Sequence, residues 1–493
     1  MPDNGFASSR PPHRATAAER LLAHQAFSRA AGAPLLGRNQ LRLLRDAREN
    51  YPAWLTAIRS ASQSIHFENY IVQDDRIGRE FVAALTERAR AGVRVRLLYD
   101  WLGSFGSRRL CQPLREAGGE VRAFNPLRLD SPFGWLARDH RKCLVVDGRV
   151  GYVSGLCVSA RWLGHPERDI APWRDTGIEV RGPAVADILA AFAQTWGLCG
   201  APLPPEEVPL CENVPGAGST LLRVIASSPY TSGIYRLDQM IAALAQESLW
   251  LTDAYFVGLP PYVQALCAAA RDDVDVRLLV PSTSDIPLIA TFSRAGYRQL
   301  LEAGVRVFEW NGAMLHAKSA VADGRWARVG SSNLNIASWI GNYELDIAVE
   351  DEAFAAEMEA MYLQDLEQAT EIVLGEHHRI RPSRHRLRRH RLRRGTTSVA
   401  TAVRLGHSVA AAVQQKRVLG GVEAAALLIT SLFLLAVAGL GLTRPAILAI
   451  PIAAGSLWLG LVLLLRAWRL SRRELPAGDR AASGQKQEPP RAD

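Results

Sequence analysis

Residues 140–155 read HRKCLVVDGRVGYVSG, with a histidine, a lysine two residues on and an aspartate five residues after that. Residues 316–333 read HAKSAVADGRWARVGSSN and repeat the pattern, so His140, Lys142 and Asp147 match His316, Lys318 and Asp323. In an extended strand side chains alternate, so His-x-Lys puts imidazole and ammonium on one face. One such motif on a strand is more often structural than catalytic. Two copies with the same internal spacing point to a duplicated chemical device.

The pair suits phosphodiester chemistry. A phosphodiester is anionic and repels nucleophiles, so its oxygens must be neutralised, its phosphorus attacked and its leaving alkoxide protonated. Two lysines can clamp the oxygens as point charges. One neutral histidine can attack phosphorus, and the other, protonated, can supply the proton. Each imidazole also needs a partner to orient its far nitrogen. Asp175 and Glu344 open equivalent alternating segments, DTGIEVRG and ELDIAVED, and are the candidates to orient His140 and His316. The two lysines do the work of a metal, and no carboxylate or His/Cys cluster has metal-ligand spacing, so no metal or other cofactor is expected.

The elements that must carry these residues are also repeated. Before the first histidine come SIHFENYIV, a helical stretch over residues 79–91, GVRVRLLYD and LREAGGEVRAFN; before the second come SLWLTDAYFV, a helical stretch over 261–271, DVDVRLLVP and LLEAGVRVFEW. Residues 93–98 and 274–279 alternate as core strands. Strands alternating with helices predict an α/β fold with a largely parallel sheet. Each half offers one histidine, and the chemistry wants two. The expectation is one pseudo-twofold unit, its two sheets packed so that both histidines face a single cleft.

The 493 residues are enough for two or three domains, and 48% are hydrophobic. Of 58 basic residues, nine arginines fall within residues 379–394, where there is no acid; the other 49 balance 49 acids. The basicity is local, which argues against a general nucleic-acid surface. Six scattered cysteines without a C-x-x-C pair suit a reducing compartment. The polar first residues lack an apolar signal segment. Residues 424–442 and 446–465 are apolar runs of 19 and 20 residues, separated by Thr443, Arg444 and Pro445. Each is long enough to span a bilayer, and basic residues flank the pair, which predicts a helical hairpin with both ends cytoplasmic. The Arg-rich segment and the apolar loop 131–136 are candidates for lipid contact, beside solvated or buried alternatives.

The doubled H-x-K-x4-D with its Gly/Ser turn resembles the phospholipase D superfamily. Within it, segments such as FENYIVQDDRIG, DHRKCLVVDGR and HAKSAVADGRWARVGSSNLNIAS resemble bacterial cardiolipin synthases of the B type, over roughly residues 38–372. The resemblance implies two phospholipase D-like α/β repeats forming one catalytic unit, to which the two apolar runs add a C-terminal transmembrane hairpin. The expected division of the chain is a flexible lead (1–37), a first repeat (38–210), a second repeat (211–375), an Arg-rich linker (376–420), the hairpin (421–466) and a disordered tail (467–493). The resemblance also implies His140 as nucleophile, His316 as general acid and base, and phosphate binding by Lys142, Lys318 and Asn333, with Ser331 and Ser154 as further substrate contacts. Asp147 and Asp323 belong to the catalytic motifs and hold their loops. The first turn departs from the family pattern: Cys157 stands where Asn or Ser is usual, so that a phosphate contact is lost there or is supplied by Ser154 or Ser159.

The implied reaction joins two phosphatidylglycerol molecules into cardiolipin at the cytoplasmic side of the bacterial inner membrane, with phospholipid and membrane as partners and no nucleic acid. A phospholipase D acting on other phospholipids, a nuclease of the superfamily and a non-enzymatic membrane scaffold are the alternatives.

Overall fold

The computed structural model describes residues 17–126, 137–374 and 380–383, with scattered positions between 432 and 464. The chain divides into two compact units, and the larger holds both repeats.

The first repeat runs β1 (Leu36–Arg45), α2 (Asp46–Ser60), β2 (Ser64–Asn69), α3 (Arg76–Arg90), β3 (Arg94–Asp100), α4 (Gln112–Glu116), β4 (Glu120–Phe124), β5 (Cys143–Val146), β6 (Val150–Ser154), β7 (Thr176–Arg181) and α5 (Ala184–Leu198), preceded by α1 (Ala17–Ala31). The second runs β8 (Thr220–Ser227), α6 (Gly233–Leu244), β9 (Ser248–Thr252), α7 (Pro260–Arg271), β10 (Asp275–Pro281), α8 (Pro287–Glu302), β11 (Arg306–Trp310), β12 (Ser319–Ala322), β13 (Trp326–Gly330), β14 (Glu344–Glu350) and α9 (Glu352–Glu367), followed by β15 (Ala369–Leu374) and β16 (Ile380–Ser383). Both core strands and both helices expected from the pattern are present, within three residues of their expected starts.

The sixteen strands of the described residues form one sheet, in the order β16-β15-β11-β10-β9-β12-β13-β14-β8-β1-β7-β6-β5-β2-β3-β4. The order mirrors itself about the β8–β1 pair, where Leu36 faces Leu222 and Asn39 faces Thr220. Two separate sheets were expected; β1 and β8 instead join the halves edge to edge. The halves also share a core, in which Val145, Val153 and Ile178 pack with Val329, Ile347 and Val349.

The expectation of a largely parallel sheet is corrected. Among the described strands only β2-β3-β4 and β9-β10-β11 run parallel; the motif strands pair antiparallel. The cause is the Asp-Gly after each motif strand. Asp147 and Gly148 have φ of 53° and 62°, and Asp323 and Gly324 have 51° and 62°. Two consecutive positive φ values make a tight hairpin turn, which can join only antiparallel neighbours.

The lead expected to be flexible over 1–37 is ordered from residue 17. Ser28 Oγ accepts from Arg223 Nε at 3.3 Å, and the His24 carbonyl accepts from Arg223 Nη2 at 3.0 Å, which ties α1 to the second repeat. Part of the Arg-rich linker also differs from expectation: residues 380–383 form β16 against β15. The rest of that linker, loop 131–136, most of the hairpin 421–466 and the tail 467–493 lie outside the described residues. Among the described residues no helix is long and apolar enough to cross a membrane. In the smaller unit the helical positions Leu435, Leu457 and Leu464 have exposed apolar side chains.

Candidate active site

Each histidine sits just before a motif strand and is fixed by a backbone bridge to the other repeat. The His140 amide donates to the Tyr343 carbonyl at 2.9 Å, and the Tyr343 amide to the Arg138 carbonyl at 2.9 Å. The matching bonds run from the His316 amide to the Arg174 carbonyl at 2.7 Å and from the Arg174 amide to the Met314 carbonyl at 2.8 Å. Tyr343 and Arg174 directly precede Glu344 and Asp175, so each bridge delivers a carboxylate to the histidine opposite.

The pairing is therefore crossed. His140 Nδ1 lies 3.0 and 2.9 Å from the two Glu344 oxygens, and His316 Nδ1 lies 2.8 Å from Asp175 Oδ2. Both carboxylates are fully buried. A carboxylate on Nδ1 holds that nitrogen as the donor and leaves Nε2 for chemistry. The carboxylates are held differently. Glu344 Oε2 accepts from Ser331 Oγ at 2.5 Å, whereas Asp175 accepts from Trp162 Nε1 and from the Thr176 amide, both at 2.8 Å. Gly155 occupies the turn position equivalent to Ser331, and a Cβ there would meet Asp175 Oδ1 at 2.2 Å.

Lys142 and Lys318 are 1% exposed. Lys142 Nζ donates to the His140 carbonyl at 2.5 Å and lies 5.2 Å from the Tyr70 ring centre. Lys318 donates to the His316 carbonyl and lies 5.7 Å from the Tyr255 ring centre. Aromatic rings wall the site: Tyr70 is 5.0 Å from His140, and Trp162 and Trp173 are 5.2 and 5.8 Å from His316, centre to centre. Such walls exclude water and strengthen the fields of the lysines.

Burial lowers the pKa of His140, with Glu344 opposing and both lysines assisting. Burial, then Lys318, pushes His316 down to about 4 against the pull of Asp175, and Lys142 adds to the depression. Each lysine thus acts on both histidines, so the two motifs share one electrostatic site. Burial brings Lys318 itself down to about 8. Burial would raise Glu344 and Asp175, but their histidines and the lysines hold both below the usual carboxylate range.

The other expected site residues divide. Asn333 is 5% exposed; its amide N–H donates to Ser338 Oγ at 3.1 Å, and its Oδ1 is buried without a hydrogen-bond partner among the described residues. Ser331 is turned onto Glu344, so it positions a carboxylate where a substrate contact was expected. Ser154 is fully buried, and its Oγ accepts from the Leu156 amide at 3.1 Å. Ser159 donates to Asp75 at 2.9 Å, so its hydroxyl proton is already engaged within the first repeat. Asp147 and Asp323 stand at the far ends of the motif strands. Asp147 accepts from the amides of Ser62, Gln63 and Ser64, and Asp323 from those of Gln246, Glu247 and Ser248. They anchor the starts of β2 and β9 and touch neither histidine. Sequence reasoning missed Tyr70, Tyr255, Trp162 and Trp173. The tyrosines had a signal, since one follows each of the equivalent strands β2 and β9. Among the described residues no three of His, Cys, Asp and Glu group so as to hold a metal ion.

Comparison with known proteins agrees with this geometry. The family described as "Cardiolipin synthase, PLD-like domain" matches residues 54–171 and 238–366, one segment in each repeat. Cardiolipin synthase A of Pseudomonas fluorescens (strain SBW25) is 36% identical over 347 residues, 69% of this chain and 71% of that protein. Cardiolipin synthase of Geobacillus sp. (strain WCH70) is 33% identical over 356 residues, 71% of this chain and 70% of that protein. The crystal structure of phosphatidylserine synthase from Haemophilus influenzae Rd KW20 shares the fold, with a TM-score of 0.54 at 16% identity, covering 70% of this chain and 91% of that one. With both repeats matched at this identity and coverage, the chain belongs to the cardiolipin synthase family of phospholipase D-like proteins and is an enzyme of the phospholipase D superfamily.

Proposed function

We propose that this enzyme is a phosphatidyltransferase that makes cardiolipin from two phosphatidylglycerol molecules. The observation that carries the reading is the crossed pairing: each histidine is completed by a carboxylate of the other repeat, so the two repeats together make one two-histidine site. The names of the sequence relatives support the choice of lipid.

In the proposed first step His140 Nε2 attacks the phosphorus of one phosphatidylglycerol. The bond to the glycerol headgroup oxygen breaks, His316 gives that oxygen its proton, and glycerol leaves. Lys142, Lys318 and Asn333 hold the phosphate oxygens. In the second step a headgroup hydroxyl of another phosphatidylglycerol gives its proton to His316 and attacks the phosphohistidine. His140 is released and cardiolipin forms. One phosphodiester replaces another, so no nucleotide is consumed. In the free protein burial and the two lysines disfavour the charged form of both histidines; the anionic phosphodiester between the lysines offsets their field and favours the acid form of one. The order of roles rests on family resemblance.

The bilayer location, with the site on the cytoplasmic side of a bacterial inner membrane, is supported by the two apolar runs and their basic flanks. The B-type assignment is part of the same proposal; the Pseudomonas relative carries the A designation. The test is purified full-length protein with phosphatidylglycerol vesicles, read by mass spectrometry. Cardiolipin and glycerol in equal amounts are expected. Phosphatidic acid without cardiolipin would make it a hydrolase, and cleavage of single-stranded DNA in place of lipid would make it a nuclease.

A further inference from the structure

The loop after β3, residues 101–109, reads WLGSFGSRR, and it is built onto the first motif at several points. Buried Asp100 accepts from the amides of Leu102 and Gly103 at 2.9 and 3.0 Å. It also accepts from the Asp139 amide at 3.0 Å and from Arg138 Nη1 at 3.2 Å, directly before His140. Ser104 Oγ donates to the Tyr70 carbonyl at 3.0 Å, and a Cβ on Gly103 would meet the Tyr70 ring at 2.8 Å. Tyr70 is the ring beside His140. The base of the loop is therefore part of the wall of the site.

Its tip points away from the core. Leu102 is 45% exposed and Phe105 is 72% exposed, with Gly106 at φ 89° behind the ring. A tip of this kind exposes apolar area to water without covering any core. Beside it lies a cleft of about 300 Å³ lined by Tyr99, Trp101, Ser104, Arg108 and Arg115. Arg109 follows Arg108, and among the described residues neither has an ion-pair partner. Arg115 donates to the Arg108 carbonyl at 3.0 Å, which closes one side of the cleft.

We infer that this loop is the surface by which the enzyme rests on an anionic phospholipid bilayer, with Leu102 and Phe105 entering the acyl boundary and a lipid phosphate drawn into the cleft of Arg108 and Arg115. The inference rests on the proposed lipid substrate and adds the docking element beside its site. Two arginines with no acid among the lining residues are complementary to a phosphate, and a phosphate layer directly above an apolar layer is the arrangement of a phospholipid surface. A soluble phosphorylated ligand gives no reason for the exposed phenylalanine. A helix-presenting protein partner would need an apolar groove, whereas Phe105 stands on a protruding tip. Loop attachment to Asp139 and Tyr70 would place the surface at the mouth of the site, where substrate must leave its bilayer.

The test uses the full-length protein in two arms. In the first, Phe105→Cys in a Cys199→Ser/Cys211→Ser background carries an environment-sensitive fluorophore. Phosphatidylglycerol vesicles should shift its emission to the blue, and phosphatidylcholine vesicles should do so far less. No shift with either lipid would overturn the inference, and so would equal shifts with both. In the second arm, Phe105→Asp and Arg108→Gln/Arg109→Gln are assayed on vesicles and on short-chain, monomeric phosphatidylglycerol. Activity on vesicles should drop by about fivefold per arginine, the fold-change of about 1 kcal/mol per basic residue at an anionic surface. Activity on the monomer should change by less than about twofold, within the ±0.5 kcal/mol usual for surface substitutions. Equal losses on both would mean that the loop serves the chemistry and not the bilayer. If neither form of the lipid is a substrate for the parent protein, the functional reading fails, while the fluorescence arm still decides the docking surface.

Discussion

Glu344, at the start of β14 in the second repeat, lies 2.9 Å from Nδ1 of His140 in the first. Neither repeat can therefore orient its own histidine. The arrangement makes the chemistry depend on both repeats, because a separated repeat would carry an imidazole with no partner on Nδ1 and a carboxylate without its histidine. Glu344→Gln keeps the shape and removes the charge that favours the needed tautomer. An analogous carboxylate-to-amide change in a serine-protease triad lowers kcat by about 10⁴. We expect losses of about 10²–10⁴ for Glu344→Gln and for Asp175→Asn. The crossed assignment is checked by histidine ¹⁵N spectra. Glu344→Gln should move the ring resonances of His140, and Asp175→Asn those of His316; movement of the other ring in each case would refute the pairing.

The two turns are not interchangeable. Gly155 makes room for Asp175, whose shorter side chain is met by Trp162, while Ser331 reaches the longer Glu344 directly. Gly155→Ala puts a methyl 2.2 Å from Asp175 Oδ1 and 3.0 Å from its Cγ. In a packed interior that overlap costs about 1–3 kcal/mol. It should displace the carboxylate from His316. Ser331→Ala removes one hydroxyl donor and adds no bulk. Gly155→Ala should therefore lower both the urea midpoint and the activity, and Ser331→Ala chiefly the activity. Unchanged activity in Gly155→Ala would show that Asp175 does not need its present position.

Much of this site could be read from the chain. The two His-Lys pairs, the equivalent alternating segments from residues 175 and 344, and the α/β repeat all follow from local spacing, because strand alternation and helix periodicity are local properties. What escaped was non-local. Nothing near Asp175 says that its partner is His316, since the crossing arises from backbone bridges between segments more than a hundred residues apart. The Ser331 hydroxyl looked like a phosphate donor, and only the burial of Glu344 beside it shows where it points. The antiparallel motif strands were legible in principle, as the Asp-Gly pairs at 147 and 323 encode the tight turns that impose them. The helices between strands point to parallel pairing, but they govern only β2-β3-β4 and their counterparts.

Depressed protonation of His316 makes stability depend on pH with a definite sign. Its ordinary value is 6.5, and burial with Lys318 takes it to about 4 in the folded chain. Between these values the unfolded chain binds a proton that the folded chain does not, so this residue's contribution to stability falls as pH falls from 6.5 to about 4. Burial lifts Asp253 and Asp346 to about 6, and these act in the opposite direction, losing stability as pH rises from the ordinary 3.8 through 6. Total stability therefore mixes both signs, and His316→Gln separates the His316–Asp175 pair from the buried aspartates. The stability of the parent relative to this variant should drop by at most about 3 kcal/mol between pH 7.5 and 4.5, measured by urea unfolding. A difference that stays flat over this interval would mean that His316 titrates normally.

The roles of the two histidines can be separated by the leaving group. With phosphatidylglycerol, both His140→Ala and His316→Ala should lose activity by several orders of magnitude, because groups that act as a unit fail together. A substrate whose leaving group is a stable anion, such as a p-nitrophenyl phosphatidyl ester, needs no proton to depart. His316→Ala retains the proposed nucleophile and should release one equivalent of nitrophenol from this ester. The phosphatidyl group then stays on His140, because no base remains to activate the incoming alcohol. His140→Ala lacks the nucleophile and should give neither burst nor adduct. The adduct is acid-labile and alkali-stable as a phosphohistidine, so it can be followed with ³²P-labelled lipid after alkaline quench. A burst and labelled protein from His140→Ala, with none from His316→Ala, would reverse the roles. Steady turnover of phosphatidylglycerol by either variant would rule out a mechanism that needs both rings.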